Sequence, residues 1–174
     1  FRFRGVSAHA ASSPHQGRSA LDGVEAFNVM VNLMREHMRQ SARIHYVISN
    51  GGQVPNTVPD YAEAYYYVRE EDAVSLKGLF ERITKAAQGA ALGTGTEVEW
   101  EIQHGNHPLA IIEPLARMMD DKLQKVDGIT YTKEEMAFGR DIQSTFSFVP
   151  LPISTSETVE PYKVIKNFGS TDVG

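Results

Sequence analysis

The sequence predicts an α+β fold, a ferredoxin-like β-α-β-β-α-β sandwich in which an antiparallel four-stranded sheet carries two helices on one face. In residues 61–69 and 96–104, apolar and polar residues alternate, as in strands that bury one face. Two longer segments instead space their apolar residues three or four positions apart, as amphipathic helices do. The order of these segments is that of the split βαβ arrangement.

The first half of the sandwich is predicted over residues 1–49. Residues 1–4 alternate phenylalanine with arginine in a short strand that ends at a glycine. A helix begins at Ser19 and carries one apolar stripe, formed by Leu21, Val24, Phe27, Val31, Met34 and, at its end, Met38. Residues 43–49 are rich in β-branched and aromatic residues, and they form a strand that ends at an Asn-Gly-Gly turn signal.

The second half begins with residues 61–69, the third strand. The helix that follows has its stripe at Leu76, Leu79, Phe80, Ile83, Ala86, Ala87 and Ala90, and Gly93 is expected just beyond its end. Residues 96–104 give the clearest strand pattern, with Val98, Trp100 and Ile102 directed inward. Residues 1–104 are therefore expected to form one domain.

Residues 105–174 have a different pattern and are expected to belong to another domain that lacks most of its partners. A helix is predicted from Pro114 to about Val126, and a capping box at Thr132 opens a further helix. Residues 149–161 are rich in proline, serine and threonine and predict a loop. Because the first residue is phenylalanine rather than methionine, we expect the chain to be a piece of a longer protein.

Composition excludes several classes of function. The net charge of −5 argues against a nucleic-acid binder, which usually has a surplus of basic residues. No stretch approaches 18 consecutive apolar residues, so a membrane span is not expected. The absence of cysteine excludes a disulfide framework and a thiolate nucleophile. It also fits a reducing compartment, and we expect a cytoplasmic protein.

The segment GVSAHAASSPHQGRSALDG, residues 5–23, places His9 on a loop stiffened by proline at the mouth of a helix. A histidine in such a position suits the donation of a hydrogen bond to developing negative charge. The composition alone favours an ordinary solvent-facing loop histidine, and that interpretation stays open at this point.

Two further features suit the binding of a carboxylate. In NGGQVPNTVPD, residues 50–60, two glycines and two prolines shape a connection longer than a simple hairpin turn, and Asn56 lies between the prolines. Arg69 ends the third strand on its polar face, and a guanidinium beside a fixed amide offers a fork of donors to a carboxylate. The alternatives are a merely structural loop and a surface salt bridge with Glu63, Glu97 or Glu99.

Together these stretches resemble the aminobenzoyl-glutamate hydrolase branch of the aminoacylase and carboxypeptidase-G metallopeptidase family. The resemblance covers residues 1–104 well and the terminal GSTDVG, residues 169–174, moderately. It implies that residues 1–104 are the lid and dimerisation domain of a homodimer. It also implies that residues 105–174 are a partial α/β segment of the catalytic domain.

The resemblance assigns roles to three residues. His9 is expected to reach the active site of the partner subunit and stabilise the oxyanion that forms when an amide is attacked by water. Asn56 and Arg69, thirteen positions apart, are expected to bind the free carboxylate of a small amide substrate. Two divalent metal ions, zinc or manganese, are expected in the full-length parent. None is expected in this chain, because the family's metal-ligand motifs are missing from it.

The favoured function is therefore a fragment of a metal-dependent amidohydrolase that cleaves aminobenzoyl-glutamate or a related N-acyl amino acid. By itself the chain is expected to be inactive. The alternative is a free-standing ferredoxin-like module that binds a small carboxylate ligand and regulates without catalysis, since fold does not determine function. An RNA-binding module of the same topology is disfavoured because glutamates line the last strand.

Overall fold

One antiparallel sheet contains four strands: β1 (Arg2–Arg4), β2 (Arg43–Asn50), β3 (Tyr61–Arg69) and β4 (Glu97–Glu99). Their order across the sheet is β2-β3-β1-β4, so the first strand lies between the third and the fourth. This arrangement confirms the ferredoxin-like α+β topology predicted from the sequence. The computed structural model describes residues 1–108, 110–126 and 128–164.

Two helices cover one face of the sheet and bury its apolar side chains. Helix α1 spans Ala20–Met34, and helix α2 spans Ala73–Thr94. Ser19 and Asp72 cap their first turns by accepting hydrogen bonds from backbone N–H groups. The largest fully buried side chains come from both layers: Phe3, Val24, Phe27, Val31, Ile44 and Ile83. The opposite face of the sheet, here called the open face, carries the polar residues of the strands.

The helix ends differ from the sequence prediction. Helix α1 stops at Met34 and tightens into a 3₁₀ turn over Arg35–His37. Met38 still packs against the core, but from extended backbone, so its place in the stripe did not indicate a helical residue. Gly93 lies inside α2 and not beyond its end. The residue that ends α2 is Gly95, whose φ of 67° lies in the left-handed region.

The fourth strand is much shorter than the predicted segment 96–104. Its only partner within the described sheet is β1, which has three residues, so hydrogen bonds are available to just Glu97–Glu99. Val98 faces the core as predicted, whereas Ile102 is 65% exposed. The alternation of apolar residues therefore continued beyond the point where a partner strand was available.

The chain divides into two compact units. The first is Phe1–Pro108, and the described residues 110–126 and 128–164 belong to the second. The second contains helices α3 (Glu113–Val126) and α4 (Lys133–Gln143), and the predicted capping box at Thr132 is present. Neither helix has a buried residue. The terminal GSTDVG motif lies outside the described residues.

Among the described helices, none combines the length and the apolar character that crossing a membrane requires.

Candidate functional site

The two segments singled out in the sequence lie side by side in the fold. Residues 5–19, the first loop, run along residues 51–60, the second loop. Four backbone hydrogen bonds of 2.8–3.0 Å connect them and the start of α1: Gly5 N–H to Asp60 O, Val58 N–H to Ala8 O, Ala10 N–H to Asn56 O and Ala20 N–H to Pro59 O. The backbone of His9 forms a β-bridge with Thr57. Main-chain pairing therefore holds both loops in one shape.

The imidazole of His9 is oriented by its own loop. Its Nδ1 accepts hydrogen bonds from the backbone N–H groups of Ala11 and Ser12, both at 3.2 Å. In a neutral imidazole one nitrogen accepts and the other donates, so the proton is on Nε2. The His9 side chain is exposed. The loop thus presents a single N–H donor to whatever approaches this surface.

Asn56 lies next to His9 because the second loop turns sharply before it. The side-chain Oδ1 of Asn50 accepts a hydrogen bond from the N–H of Gly52, whose φ of 99° favours glycine. The backbone carbonyl of Asn56 accepts a hydrogen bond from the N–H of Ala10 in the first loop. The side-chain amide of Asn56 is exposed and takes no part in that bond. The structure therefore brings the backbone segments that carry His9 and Asn56 together, and both side chains are exposed there.

Arg69 does not join this surface within one chain. It ends β3, and Asn56 precedes the start of the same strand. Eight residue steps separate Tyr61 from Arg69, a length of about 26 Å in a strand. The expectation that Arg69 stands beside Asn56 is therefore not met inside a single subunit. The guanidinium of Arg69 instead lies over the ring of Tyr67, 5.8 Å from its centroid.

The sheet thus has two functionally distinct ends. The loop end is where β1 ends, β3 begins and the two loops meet. The arginine end is where β2 begins at Arg43 and β3 ends at Arg69, and these two residues are direct partners in the antiparallel register. Sequence reasoning missed Arg43. Its alternation places it on the open face, but its pairing with Arg69 follows only from the register.

Between the two ends, a polar network on the open face is internally satisfied. Glu63 accepts hydrogen bonds from the hydroxyls of Ser49 (2.6 Å) and Tyr61 (2.9 Å) and from Arg2 (3.2 Å). The two hydroxyls and then the guanidinium lower the pKa of Glu63 from its ordinary value. A carboxylate held this way is stabilised in its ionised form, which suits a structural cross-link between strands better than a general acid.

Within the described ranges, no group of three or more His, Cys, Asp or Glu side chains could hold a metal ion. The histidines of this part of the chain therefore do not form a ligand set with each other.

The family model for the peptidase dimerisation domain matches residues 1–94. This chain belongs to that family. The match includes both loops and the whole of β3, and it ends at the last residue of α2. His9, Asn56 and Arg69 thus all lie in the part of the chain that defines the dimerisation domain.

The names of curated relatives of this chain are those of amide-cleaving enzymes. One relative is a component of the p-aminobenzoyl-glutamate hydrolase of Escherichia coli strain K12. This chain is 37% identical to that relative over 148 residues, and the alignment covers 84% of this chain and 31% of the relative. This chain is 36% identical over 107 residues to the human Xaa-Arg dipeptidase, covering 61% of this chain and 24% of the relative. The chain thus spans less than a third of either relative's length.

Solved structures confirm the fold of the dimerisation domain chain. One is an amidase of the hydantoinase/carbamoylase family from Burkholderia vietnamiensis, with a TM-score of 0.59 and 19% sequence identity. The superposition covers 70% of this chain and 30% of that structure.

Proposed function

We propose that this chain is the lid and dimerisation part of a metal-dependent amidohydrolase. The substrate is aminobenzoyl-glutamate or a related N-acyl amino acid with a free carboxylate. The observation that supports this most directly is the loop end, where the exposed His9 is held through Nδ1 on a segment paired by its backbone with the segment of Asn56. That arrangement occurs in a chain of the peptidase dimerisation family, whose named relatives hydrolyse p-aminobenzoyl-glutamate and dipeptides.

His9 would act on the negative charge that develops during amide hydrolysis. Attack of water on an amide carbonyl places charge on the carbonyl oxygen, and a pre-oriented N–H donor stabilises that charge without reorganising. Because the backbone of Ala11 and Ser12 holds Nδ1, only Nε2–H is directed at the substrate. His9 would therefore donate a hydrogen bond in the transition state and would not act as the base.

Strand direction supports the delivery of His9 to a partner subunit. Strand β1 is antiparallel to both of its neighbours, so β1 begins and β4 ends toward the arginine end of the sheet. Connections to the rest of a longer protein would leave the sheet from there. Arg69 would then serve the active site of its own subunit. His9 and Asn56, which lie at the other end of a strand about 26 Å long, would serve the site of the partner subunit.

Arg69 would bind the carboxylate of the substrate in the ground state as well as in the transition state. Its planar guanidinium offers two parallel N–H groups to a carboxylate, and the contact with Tyr67 restricts where it can move. Asn56, arriving from the other subunit, would add a neutral amide donor. The substrate would thus be held between two lids.

The metal ions would be held outside the described residues, since these contain no group able to ligate one. The proposal places two divalent ions, zinc or manganese, in the rest of the full-length enzyme, where they would supply an activated water. The groups of this chain contribute hydrogen bonds and charge around the substrate. We also propose a cytoplasmic location, on the absence of cysteine alone.

Helices α3 and α4 are proposed to be a piece of the catalytic domain, within the assignment of residues 105–174 to that domain. Helix α3 exposes a stripe of large apolar side chains at helical spacing: Leu115, Met118, Met119 and Leu123, each between 46% and 58% exposed. An uncovered stripe of this kind indicates a helix face that normally packs on another element. The remainder of the catalytic domain would supply that element.

The homodimer is proposed to form through the exposed edge of β2 and the adjacent face of α1. Strand β2 is at one edge of the sheet, where it can extend the sheet across a two-fold axis. Asn32 of α1 contacts Tyr46 of β2 (3.2 Å), and near it Val29 and Leu33 are 56% and 65% exposed. Light scattering of the chain should show a dimer, and Leu33→Glu should weaken it. A strict monomer at high concentration would contradict this interface.

The decisive experiment is an activity assay of the full-length protein supplied with zinc or manganese. Release of aminobenzoate and glutamate from aminobenzoyl-glutamate is expected, and residues 1–174 alone should release neither. Binding of the substrate by the full-length protein with no hydrolysis under any metal would instead support a ligand-binding module. That result would overturn the enzyme assignment.

A further inference from the structure

The first loop is closed at its base by a pair of backbone hydrogen bonds. The N–H of Val6 donates to the carbonyl of Arg18 at 2.8 Å, and the N–H of Arg18 donates to the carbonyl of Val6 at 2.9 Å. Between these two residues the chain reverses direction through tight turns, in the first of which the N–H of Ser13 donates to the carbonyl of His9 at 3.0 Å. His9 therefore lies on the outgoing arm of a closed loop, and Gly17 lies on the returning arm, immediately before Arg18.

Gly17 is buried at the point where the returning arm meets the second loop. A β-carbon at this position would lie 3.0 Å from both γ-carbons of Val58 and 3.1 Å from the β-carbon of Ala8. Carbon atoms in ordinary van der Waals contact are about 3.5–4.0 Å apart. The backbone of Gly17 is extended, with a φ of −85°, so its conformation does not require glycine. What the position requires is the close approach that the lack of a side chain allows.

Ala8 and Val58 adjoin the β-bridge between His9 and Thr57. Ala8 immediately precedes His9, Val58 immediately follows Thr57, and the N–H of Val58 donates to the carbonyl of Ala8 at 2.9 Å. A methyl group at residue 17 would press on this pair first, because the pair provides its three nearest contacts. The space at residue 17 therefore determines how closely the backbone on either side of His9 can approach the second loop.

We propose that Gly17 is a positioning residue for His9, because its missing side chain lets Ala8 and Val58 pair closely and so fixes where the imidazole stands. This inference rests on the proposed function, in which His9 donates a hydrogen bond to the oxyanion. Such a donor is effective only within a narrow range of distances and angles from the developing charge. Displacing the pair by a few tenths of an ångström should therefore reduce kcat and leave ground-state binding of the substrate nearly unchanged.

The test measures kcat and KM of the full-length enzyme with aminobenzoyl-glutamate. Gly17→Ala should lower kcat about 10-fold and leave KM within about twofold of the wild type, since a misplacement of 1 Å in a catalytic group can cost about 100-fold. The same substitution in the His9→Ala enzyme should not lower kcat further, because Gly17 acts through His9. Urea unfolding of each variant would show that it is folded under the assay conditions.

A compensating substitution and a matched control separate this role from a general loss of stability. Val58→Ala removes both γ-carbons that a methyl group at residue 17 would meet, so adding it to Gly17→Ala should restore most of the lost kcat. Gly51→Ala is the control in the second loop, where a β-carbon would meet nothing closer than 3.6 Å, and it should behave like the wild type. If Gly17→Ala folds poorly, the double variant carries the same comparison with and without His9.

The outcomes distinguish the inference from the proposed function. If a folded Gly17→Ala enzyme kept the wild-type kcat, or lost as much kcat in the His9→Ala background as in the wild type, the inference would be wrong while the proposed function stood. A failure of Val58→Ala to return any activity to Gly17→Ala would also contradict it. If His9→Ala itself left kcat unchanged, the role of His9 in the proposed function would fail and the inference with it.

Discussion

The loop end and the arginine end of the sheet offer different kinds of chemistry and are built in different ways. At the loop end, backbone hydrogen bonds pair the segments that carry His9 and Asn56, and the backbone of Ala11 and Ser12 orients the imidazole of His9. At the arginine end, strand register alone places two charged side chains opposite each other. The first arrangement is directional, whereas the second is cationic.

Under the proposed function, the two ends have different tasks. A directional donor with no net charge is useful where charge develops only in the transition state. A cationic fork is useful where a permanent carboxylate must be held throughout the reaction. The separation of about 26 Å means that one molecule of substrate cannot contact both ends of one subunit. Variants of the full-length enzyme can test this separation, from the largest expected effect to the smallest.

His9→Ala should lower kcat by roughly 100-fold or more and change KM little. The lost hydrogen bond is made mainly in the transition state, and removal of one oxyanion donor has an effect of that order. Steady-state kinetics would measure it. His15→Ala is the matched control, since His15 lies exposed on the 3₁₀ turn Pro14–Gln16, and it should behave like the wild type. A rise in KM with unchanged kcat would contradict the role of His9.

Mixed dimers of a His9→Ala subunit and an Arg69→Ala subunit should recover about half of the wild-type activity. If each active site takes Arg69 from its own subunit and His9 from the partner, the mixed dimer contains one intact site and one doubly damaged site. If both residues served the same subunit, each site would carry one lesion, and kcat/KM measured at substrate well below KM would stay at the level of the two parent variants. Co-expression with two affinity tags would isolate the mixed species, and the two parent variants provide the baseline.

Arg69→Ala should raise KM about thirtyfold while kcat stays within a few-fold of the wild type. A hydrogen bond to a charged group contributes about 2 kcal/mol, and this one would be made equally in the ground state and the transition state. Steady-state kinetics with aminobenzoyl-glutamate would show how much of the effect falls on KM and how much on kcat. A loss confined to kcat would place Arg69 at the reacting atoms instead.

Asn56→Ala should resemble Arg69→Ala but raise KM only about fivefold, since a neutral hydrogen bond contributes about 1 kcal/mol. The loop should keep its shape, because the bond from Ala10 uses the carbonyl of Asn56 and not its side chain. Combining Asn56→Ala with Arg69→Ala in one subunit of a mixed dimer would show whether the two residues reach different sites. Equal activity of this dimer and of a dimer that carries one of the two lesions in each subunit would argue against that.

Ser19→Ala should leave the kinetics unchanged and lower the free energy of unfolding by about 1 kcal/mol. Its side chain accepts a hydrogen bond from the backbone of Asp22 at the start of α1, and loss of such a cap has this typical effect. Urea unfolding would measure it. The variant is also a control for the loop end, because a change in kcat here would show that stability alone affects catalysis.

The sequence predicted local structure better than it predicted the site. The bounds of β3 were predicted correctly because nine residues alternate without interruption. The length of β4 was not, because a strand extends only as far as its partner, and β1 has three residues. The contact of the two loops rests on backbone groups and leaves no pattern in the side chains.

The separation of Asn56 from Arg69 did have a signal in the sequence. Asn56 and Arg69 are thirteen positions apart, and the predicted strand 61–69, which ends at Arg69, takes up most of that interval, so its extended length alone places them far apart. The position of Arg43 opposite Arg69 needed the register, and a shift of one residue would have moved Arg43 to the helix side. The sequence alone did not predict which residues lie opposite each other on neighbouring strands.

The main-chain pairing of the two loops has an evolutionary consequence. Because the bonds between them use backbone N–H and C=O groups, most side chains along the loops can be exchanged while the shape persists. Proline is the exception at Gly5, Ala10 and Val58, where a donor N–H would be lost. A chain built on such a frame can change the side chains around His9 while the position of the His9 backbone persists.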